Sequence, residues 1–318
     1  LRIGDTPLSA LRGQLADQGL EVDFGLVRVR IRSDLPTLAE RLQRLYGHYP
    51  LAVESRFCDV SVTLQRVAGL RRHLRAQVQL IVDGTLPFEP YPADTDLPLL
   101  EWGMNWCIAQ RCHHVLLLHA GVVERAGAAI LLPALPGSGK STLTAALTLS
   151  GWRFLADEFG AVRLSDSALL PVVRPIGLKN ESIEVIRAFS AEAVLGPSFP
   201  KTHKGTVAHV AANAASVAKR HEPARAVAVV FPKYAAGVST ELEEVPRARA
   251  FAKLAANSFN YELLGPKSFV AMGRLIEQVR CYRLTYSRLE EALAWLADLH
   301  EELRSSTVHD DGALVSAS

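Results

Sequence analysis

Ala129-Ile130-Leu131-Leu132-Pro133-Ala134-Leu135-Pro136-Gly137-Ser138-Gly139-Lys140-Ser141-Thr142 is the stretch whose reading decides the fold. Consecutive apolar residues over Ala128–Leu132 fit a short buried strand. From Lys140 to Leu149 the chain reads as a helix, so a glycine-bearing loop joins strand to helix. Glycines let backbone N–H groups curl around a phosphate with no Cβ in the way. The helix N-terminus adds a partial positive charge. In that setting Gly-x-Gly-Lys-Ser reads as a phosphate-binding loop, or P-loop. The residues expected to cradle a nucleotide's phosphates are Pro136, Gly137, Ser138, Gly139, Lys140, Ser141 and Thr142. Lys140 is expected to bridge the outer phosphates, and the Ser141 hydroxyl to ligate Mg²⁺. The string departs from G-x-x-x-x-G-K-S at one place, where Ala134 replaces the first glycine. Alanine is tolerated at a strand end if φ stays negative. The bland alternative is a glycine-rich turn that binds nothing.

Two further features lie to either side. Asp157 follows Lys140 by 17 residues and, with Glu158, ends the apolar run Phe154-Leu155-Ala156. One helix and one turn are expected to set this strand beside the glycine-loop strand, with both acids facing the terminal phosphate. One carboxylate then holds Mg²⁺ through water, and the other accepts a proton from an attacking hydroxyl. The metal set is thus Ser141, Asp157 and Glu158; an acidic surface turn is the alternative. His119 precedes Lys140 by 21 residues and closes the apolar run Val115–Leu118. A hairpin turning at Glu124–Gly127 is expected to carry it back to the glycine loop. Taken alone, a histidine after apolar residues is more often a satisfied core or edge residue than a functional one.

The rest of the chain sets the organisation. Its 318 residues give a prior of about two domains. Residues 1–95 read as a small α+β domain. Val27, Val29 and Ile31 alternate with Arg28, Arg30 and Arg32, as on a half-buried strand. Leu35 to Tyr46 reads as a helix, and Cys58–Leu64 and Ala76–Val82 as strands. The arginine row suits a solvated strand face, with a phosphate-binding face as the alternative. Pro87, Pro90, Pro92 and Pro98 mark an extended linker, so the boundary is placed near residue 95. Residues 96–304 alternate strand-like and helical stretches, as an α/β domain does. They include a helix over Pro246–Tyr261 and a last helix with a Ser287/Glu290 capping box and the stripe Leu289, Leu293, Leu296, Leu299, Leu303. Residues 305–318 read as a flexible tail.

Composition narrows the class. The chain has 35 basic and 33 acidic residues, a net charge of +2, which predicts no draw to nucleic acid or anionic lipid. No apolar run is long enough for a membrane helix, and Leu1–Gly13 lacks a signal-peptide core, so cytoplasm is the expected location. Cys58, Cys107, Cys112 and Cys281 form no Cys-x-x-Cys pair. Cys107, Cys112, His113 and His114 are grouped, but at spacings that suit a helix end better than zinc.

At the His119, glycine-loop and Asp157 features the chain resembles the catalytic domain of HPr kinase/phosphorylase, and more closely the HPr-kinase-related (type A) group. The resemblance runs from about His119 to His300. It rests on His119-Ala120-Gly121, Gly137–Thr142 and Asp157-Glu158 at these spacings. It implies a P-loop kinase domain of the HPr kinase/phosphoenolpyruvate carboxykinase type, with ATP and Mg²⁺. It implies that Asp157 is the general base of phosphorylation and the general acid of its reversal, assisted electrostatically by His119. Glu158 stands where the family has a second Asp. Arg174-Pro175-Ile176-Gly177-Leu178-Lys179-Asn180 is similar to the signature Glu-Val-Arg-Gly-x-Gly, with Val173 in place of its metal-binding Glu. Lys201-Thr202-His203-Lys204-Gly205-Thr206 resembles a loop of the related group, and Lys204 is the expected transition-state cation; a solvated loop is the alternative. Phe231–Tyr234 and Asn257–Tyr261 resemble the same group without an assigned role. The family forms hexamers, which implies a homo-oligomer.

The expected function is an ATP-dependent kinase acting on a hydroxyl, foremost a serine of a small protein or peptide, such as an HPr-like carrier or a peptide precursor. A small-molecule kinase and a nucleotide-gated binding module without transfer are the alternatives.

Overall fold

In a computed structural model the protein is mixed α/β and divides into two compact units that interleave along the chain. One comprises Leu1–Cys112 with Val172–His221, the other His113–Pro171 with Glu222–Ser318. The structure describes all residues except 53–56, 69–75, 136 and 316–318; residues 306–315 are described by their backbone. The division differs from a single boundary near residue 95. Residues 96–112 and 172–221 belong with the N-terminal strands.

The first unit holds a five-stranded sheet in the order Leu20–Asp23, Arg28–Ser33, Val60–Arg66, Gln77–Val82, Tyr91–Pro92. Its second and third strands are parallel, and the other pairs antiparallel. The helix Pro36–Leu45 buries Leu38, Leu42 and Leu45 as its spacing predicts. Two of the row's three arginines meet carboxylates on the neighbouring strand. Arg28 bonds Asp23 and Arg30 bonds Glu21, each at 2.7 Å, because the register pairs those positions. Cross-strand ion pairing therefore occupies this face.

The expected linker ends earlier than its prolines suggest. Asp96, Leu97 and Pro98 form the first turn of the helix Asp96–Arg111, where proline's missing N–H costs nothing. Arg174 is buried in this unit. It donates to the Glu101 carboxylate (2.6 Å) and carbonyl (3.0 Å) and to Asn105. Val173 is fully buried, and its carbonyl accepts from the Tyr49 hydroxyl. A second, three-stranded antiparallel sheet, Ile176–Lys179, Gly205–Val210 and Phe199–Thr202, completes the unit.

The second unit is built on an eight-stranded mixed sheet. Its path runs Leu169–Leu170, Phe159–Arg163, Val115–Arg125, Ala128–Pro133, Arg225–Tyr234, Arg280–Tyr286, Glu241–Glu244. The strand Arg153–Ala156 pairs with Val115–Arg125 off that path. Ala128–Pro133, Arg225–Tyr234 and Arg280–Tyr286 run parallel. Val115–Arg125 returns antiparallel through the two-residue turn Ala126-Gly127, both at positive φ. That is the turn whose twist matches a hairpin.

The helices Lys140–Leu149 and Leu289–Val315 pack on this sheet. Leu143 and Leu147 meet Leu296, Leu299 and Leu303 in one core with Ile130, Leu132 and Trp152, and Leu289 and Leu293 flank it. His300 is fully buried in this core, and its Nε2 lies 2.9 Å from the Arg125 carbonyl and 3.2 Å from that of Ala128. Both partners are acceptors, so Nε2 carries the proton, and His300 ties the helix to the hairpin turn.

Two local expectations change. The last helix has no capping box: Ser287 Oγ donates to the Val238 carbonyl (2.7 Å) instead. The helix also continues through Val315, past the expected start of a tail at residue 305. Among the described residues no helix is long and apolar enough to cross a membrane.

Candidate functional site

The glycine loop leaves the buried strand Ala128–Pro133 and enters the helix Lys140–Leu149. Gly137 and Gly139 both take φ +87°, the left-handed region that admits glycine without strain. Gly139 carries a second constraint. A Cβ there would run into the Tyr286 hydroxyl and lie 3.2 Å from the Tyr234 Cβ. Ser138 anchors the loop sideways: its carbonyl accepts from the Tyr234 N–H (3.0 Å). The Ser138 Oγ is buried with no hydrogen-bond partner among the described residues. Ser141 and Thr142 occupy the first helical turn, half-buried. Pro136 lies outside the described residues.

Lys140 is the first residue of that helix and is 7% exposed. Its ammonium donates to the main-chain carbonyl of Asp157 and to its carboxylate (3.2 Å). Asp157 is 8% exposed, so two buried charges neutralise each other. A lone charge at such a site is costly, whereas a pair is tolerated.

Asp157 reaches Lys140 by a route other than the expected one. Arg153–Ala156 is not next to the glycine-loop strand, because the hairpin partner Val115–Arg125 occupies that place and pairs with both. The short strand therefore lies one position further out.

His119 sits on the same long strand, one residue before the pair Ala120–Pro133. Its Nε2 is 3.6 Å from Glu158 Oε1, and its ring stands edge-on to Phe259 at 5.6 Å. Burial and the Lys140 ammonium pull the imidazole below its ordinary pKa, against the opposing pull of Glu158 and Asp157. A neutral imidazole beside the acid pair is the consequence.

Sequence reasoning missed the segment that braces these parts. The expected helix over Pro246–Tyr261 stops at Ala256, and residues 257–260 run along Val115–His119 instead. Asn257 Nδ2 donates to the His119 carbonyl (3.0 Å) and to that of Ala134 (3.5 Å). It thus joins the base of the glycine loop to the histidine. Asn260, buried, accepts from the Leu117 N–H and donates to the Val115 carbonyl, both at 2.9 Å. Two asparagines three apart in an otherwise helical reading were the available signal. Gly121 is a second missed position: a Cβ there would run into the Thr144 hydroxyl, so glycine lets the loop helix rest on the strand.

Lys204 belongs to the first unit and Lys140 to the second. Lys204 lies in the turn between Phe199–Thr202 and Gly205–Val210, its ammonium 5.3 Å from the centre of the Trp102 ring. His203 stands edge-on to the same ring at 4.4 Å.

No group of three or more His, Cys, Asp or Glu gathers as a metal cage among the described residues. Burial pushes the Cys107 and Cys112 thiols up to about 11. A Mg²⁺ carried by a nucleotide needs less than a cage, since phosphate oxygens supply most of its ligands. Asp157, Glu158 and the Ser141 hydroxyl are hard oxygen donors of the kind such an ion takes.

The arrangement therefore offers backbone donors at a helix N-terminus, a buried cation, and a carboxylate within that cation's reach. No protein-family model and no curated protein matches the chain.

Proposed function

We propose that the chain is an ATP- and Mg²⁺-dependent kinase with a P-loop domain of the HPr-kinase type. It transfers the γ-phosphoryl group to a hydroxyl, foremost a serine of a small protein or peptide such as an HPr-like carrier or a peptide precursor. The observation that carries this reading is the buried Lys140–Asp157 pair at the mouth of the glycine loop. A loop that only senses nucleotide has no need of a carboxylate held by its lysine.

Each residue has a role. The loop's backbone N–H groups and Lys140 orient the phosphates. In the resting protein Lys140 neutralises Asp157. A bound triphosphate offers the ammonium a stronger partner, and the carboxylate is then released to act as a base. The acceptor oxygen bonds to the γ-phosphorus as the bond to the β,γ-bridging oxygen breaks, ADP departs, and the hydroxyl proton passes to Asp157. Bound Mg²⁺ neutralises charge on the phosphate oxygens, and Ser141, Glu158 and Asp157 are the side chains fit to hold it. Neutral His119 keeps Glu158 company without competing with Lys140 for the phosphates.

The test uses γ-labelled ATP, Mg²⁺ and a desalted lysate, with wild type beside Asp157→Asn. A labelled protein band that needs Asp157 is expected, with ATP binding kept in the variant. Label in a small molecule alone moves the acceptor class. ATP binding with no labelled product of any size sinks the kinase reading and leaves a nucleotide-gated module.

A further inference from the structure

Two tyrosines outside the phosphate chemistry lie against the glycine loop. Tyr234 and Tyr286 are register partners at the carboxyl ends of the parallel strands Arg225–Tyr234 and Arg280–Tyr286. In open α/β sheets that end of the strands is where ligands sit. Their rings are 5.8 Å apart at 70°, the edge-to-face geometry of a stable aromatic pair. Tyr286 is buried, and its hydroxyl stands 3.4 Å from the Gly139 carbonyl. Tyr234 is 52% exposed, although its N–H is committed to Ser138. A large ring is thus anchored by its backbone beside the loop, supported from behind, and open to solvent.

The sheet order gives this pair its meaning. Val115–Arg125, which carries His119 and pairs with the strand leading to Asp157, flanks the glycine-loop strand on one side. Arg225–Tyr234 flanks it on the other. A nucleotide whose terminal phosphate faces Asp157 directs its opposite end towards the tyrosine flank.

We propose that Tyr234, backed by Tyr286, is the platform on which the base of the bound nucleotide stacks. This rests on the nucleotide reading of the glycine loop. Every base has a π-face, so the platform recognises the chemical class of nucleoside triphosphates over inorganic polyphosphate.

Calorimetric titration of the full chain with ATP and with inorganic tripolyphosphate tests it, using wild type, Tyr234→Ala and Tyr234→Phe. Wild type is expected to bind ATP more tightly than tripolyphosphate. Tyr234→Ala is expected to weaken ATP about tenfold, the scale of one lost base–aromatic stack. Tripolyphosphate binding is expected to stay within twofold in that variant, which also reports an intact loop, and Tyr234→Phe to retain wild-type ATP affinity. If Tyr234→Ala leaves ATP affinity unchanged, there is no platform. If it weakens both ligands equally, Tyr234 only props the loop, and the proposal is overturned. If wild type binds neither ligand, the phosphate-site reading itself fails, and the platform with it.

Discussion

Lys140 grips Asp157 through both its carbonyl and its carboxylate, so one side chain closes the gap between a helix start and the end of a strand 17 residues on. The pair is structural before it is chemical. Lys140→Ala leaves the Asp157 charge buried and unpaired, which is expected to cost about 3 kcal/mol. Urea denaturation should register that loss, and calorimetry at least a tenfold fall in ATP affinity. A variant as stable and as tight-binding as wild type would remove Lys140 from the site.

The loop helix rests on the long strand only because Gly121 lacks a side chain. Gly121→Ala is expected to destabilise by about 2 kcal/mol, the scale of overpacking a core. Thr144→Ala removes the clashing hydroxyl and leaves the Thr144 Cβ position 3.4 Å away, an ordinary contact. The double variant should therefore recover part of the loss. Strict additivity in the double-mutant cycle would contradict the contact.

Asn260 satisfies two backbone groups of Val115–His119 beyond the end of the glycine-loop strand. Asn260→Ala strips both in a buried setting, an expected cost of about 2 to 3 kcal/mol. Melting should show it as a clear drop. Hydrogen exchange should quicken at the Leu117 amide, and slow exchange there in the variant would count against this bracing role.

His119 has its pKa depressed in the folded chain, so protonation favours unfolding. Its contribution is intact above the unfolded value of about 6.5 and is lost as pH falls from there through the folded pKa. Stability measured by denaturant at a series of pH values should decline over that window. His119→Gln should flatten this part of the profile, and an identical slope in the variant would assign the decline to other groups.

Much of the second unit was legible because its signals are local. Lys140–Leu149 and Arg153–Ala156 form where apolar spacing and glycine punctuation put them. His119, the glycine loop and Asp157 lie within 39 residues and are joined by one hairpin and one helix. What failed to show were relations that depend on distant chain. Asn257 and Asn260 read as helix because their partners lie more than a hundred residues earlier. Tyr234 had no assigned role and Tyr286 drew no reading, since nothing nearby in sequence says that a glycine loop passes beside them. Arg174 resembled a signature arginine, yet its partner Glu101 is 73 residues away and buried with it.

The interleaving of the two units bears on the order in which the chain can fold during synthesis. The first unit lacks Val172–His221 until well after residues 113–171 have been made. Those residues carry the hairpin, the glycine loop and the acid pair, and their contacts close over short loops at little entropic cost. The candidate site can thus take its local form while the amino-terminal strands are still incomplete. Its own sheet then waits for Arg225–Tyr234, the strand that brings the tyrosine. A cut placed after Cys112 should accordingly yield no autonomous fragment on its amino-terminal side.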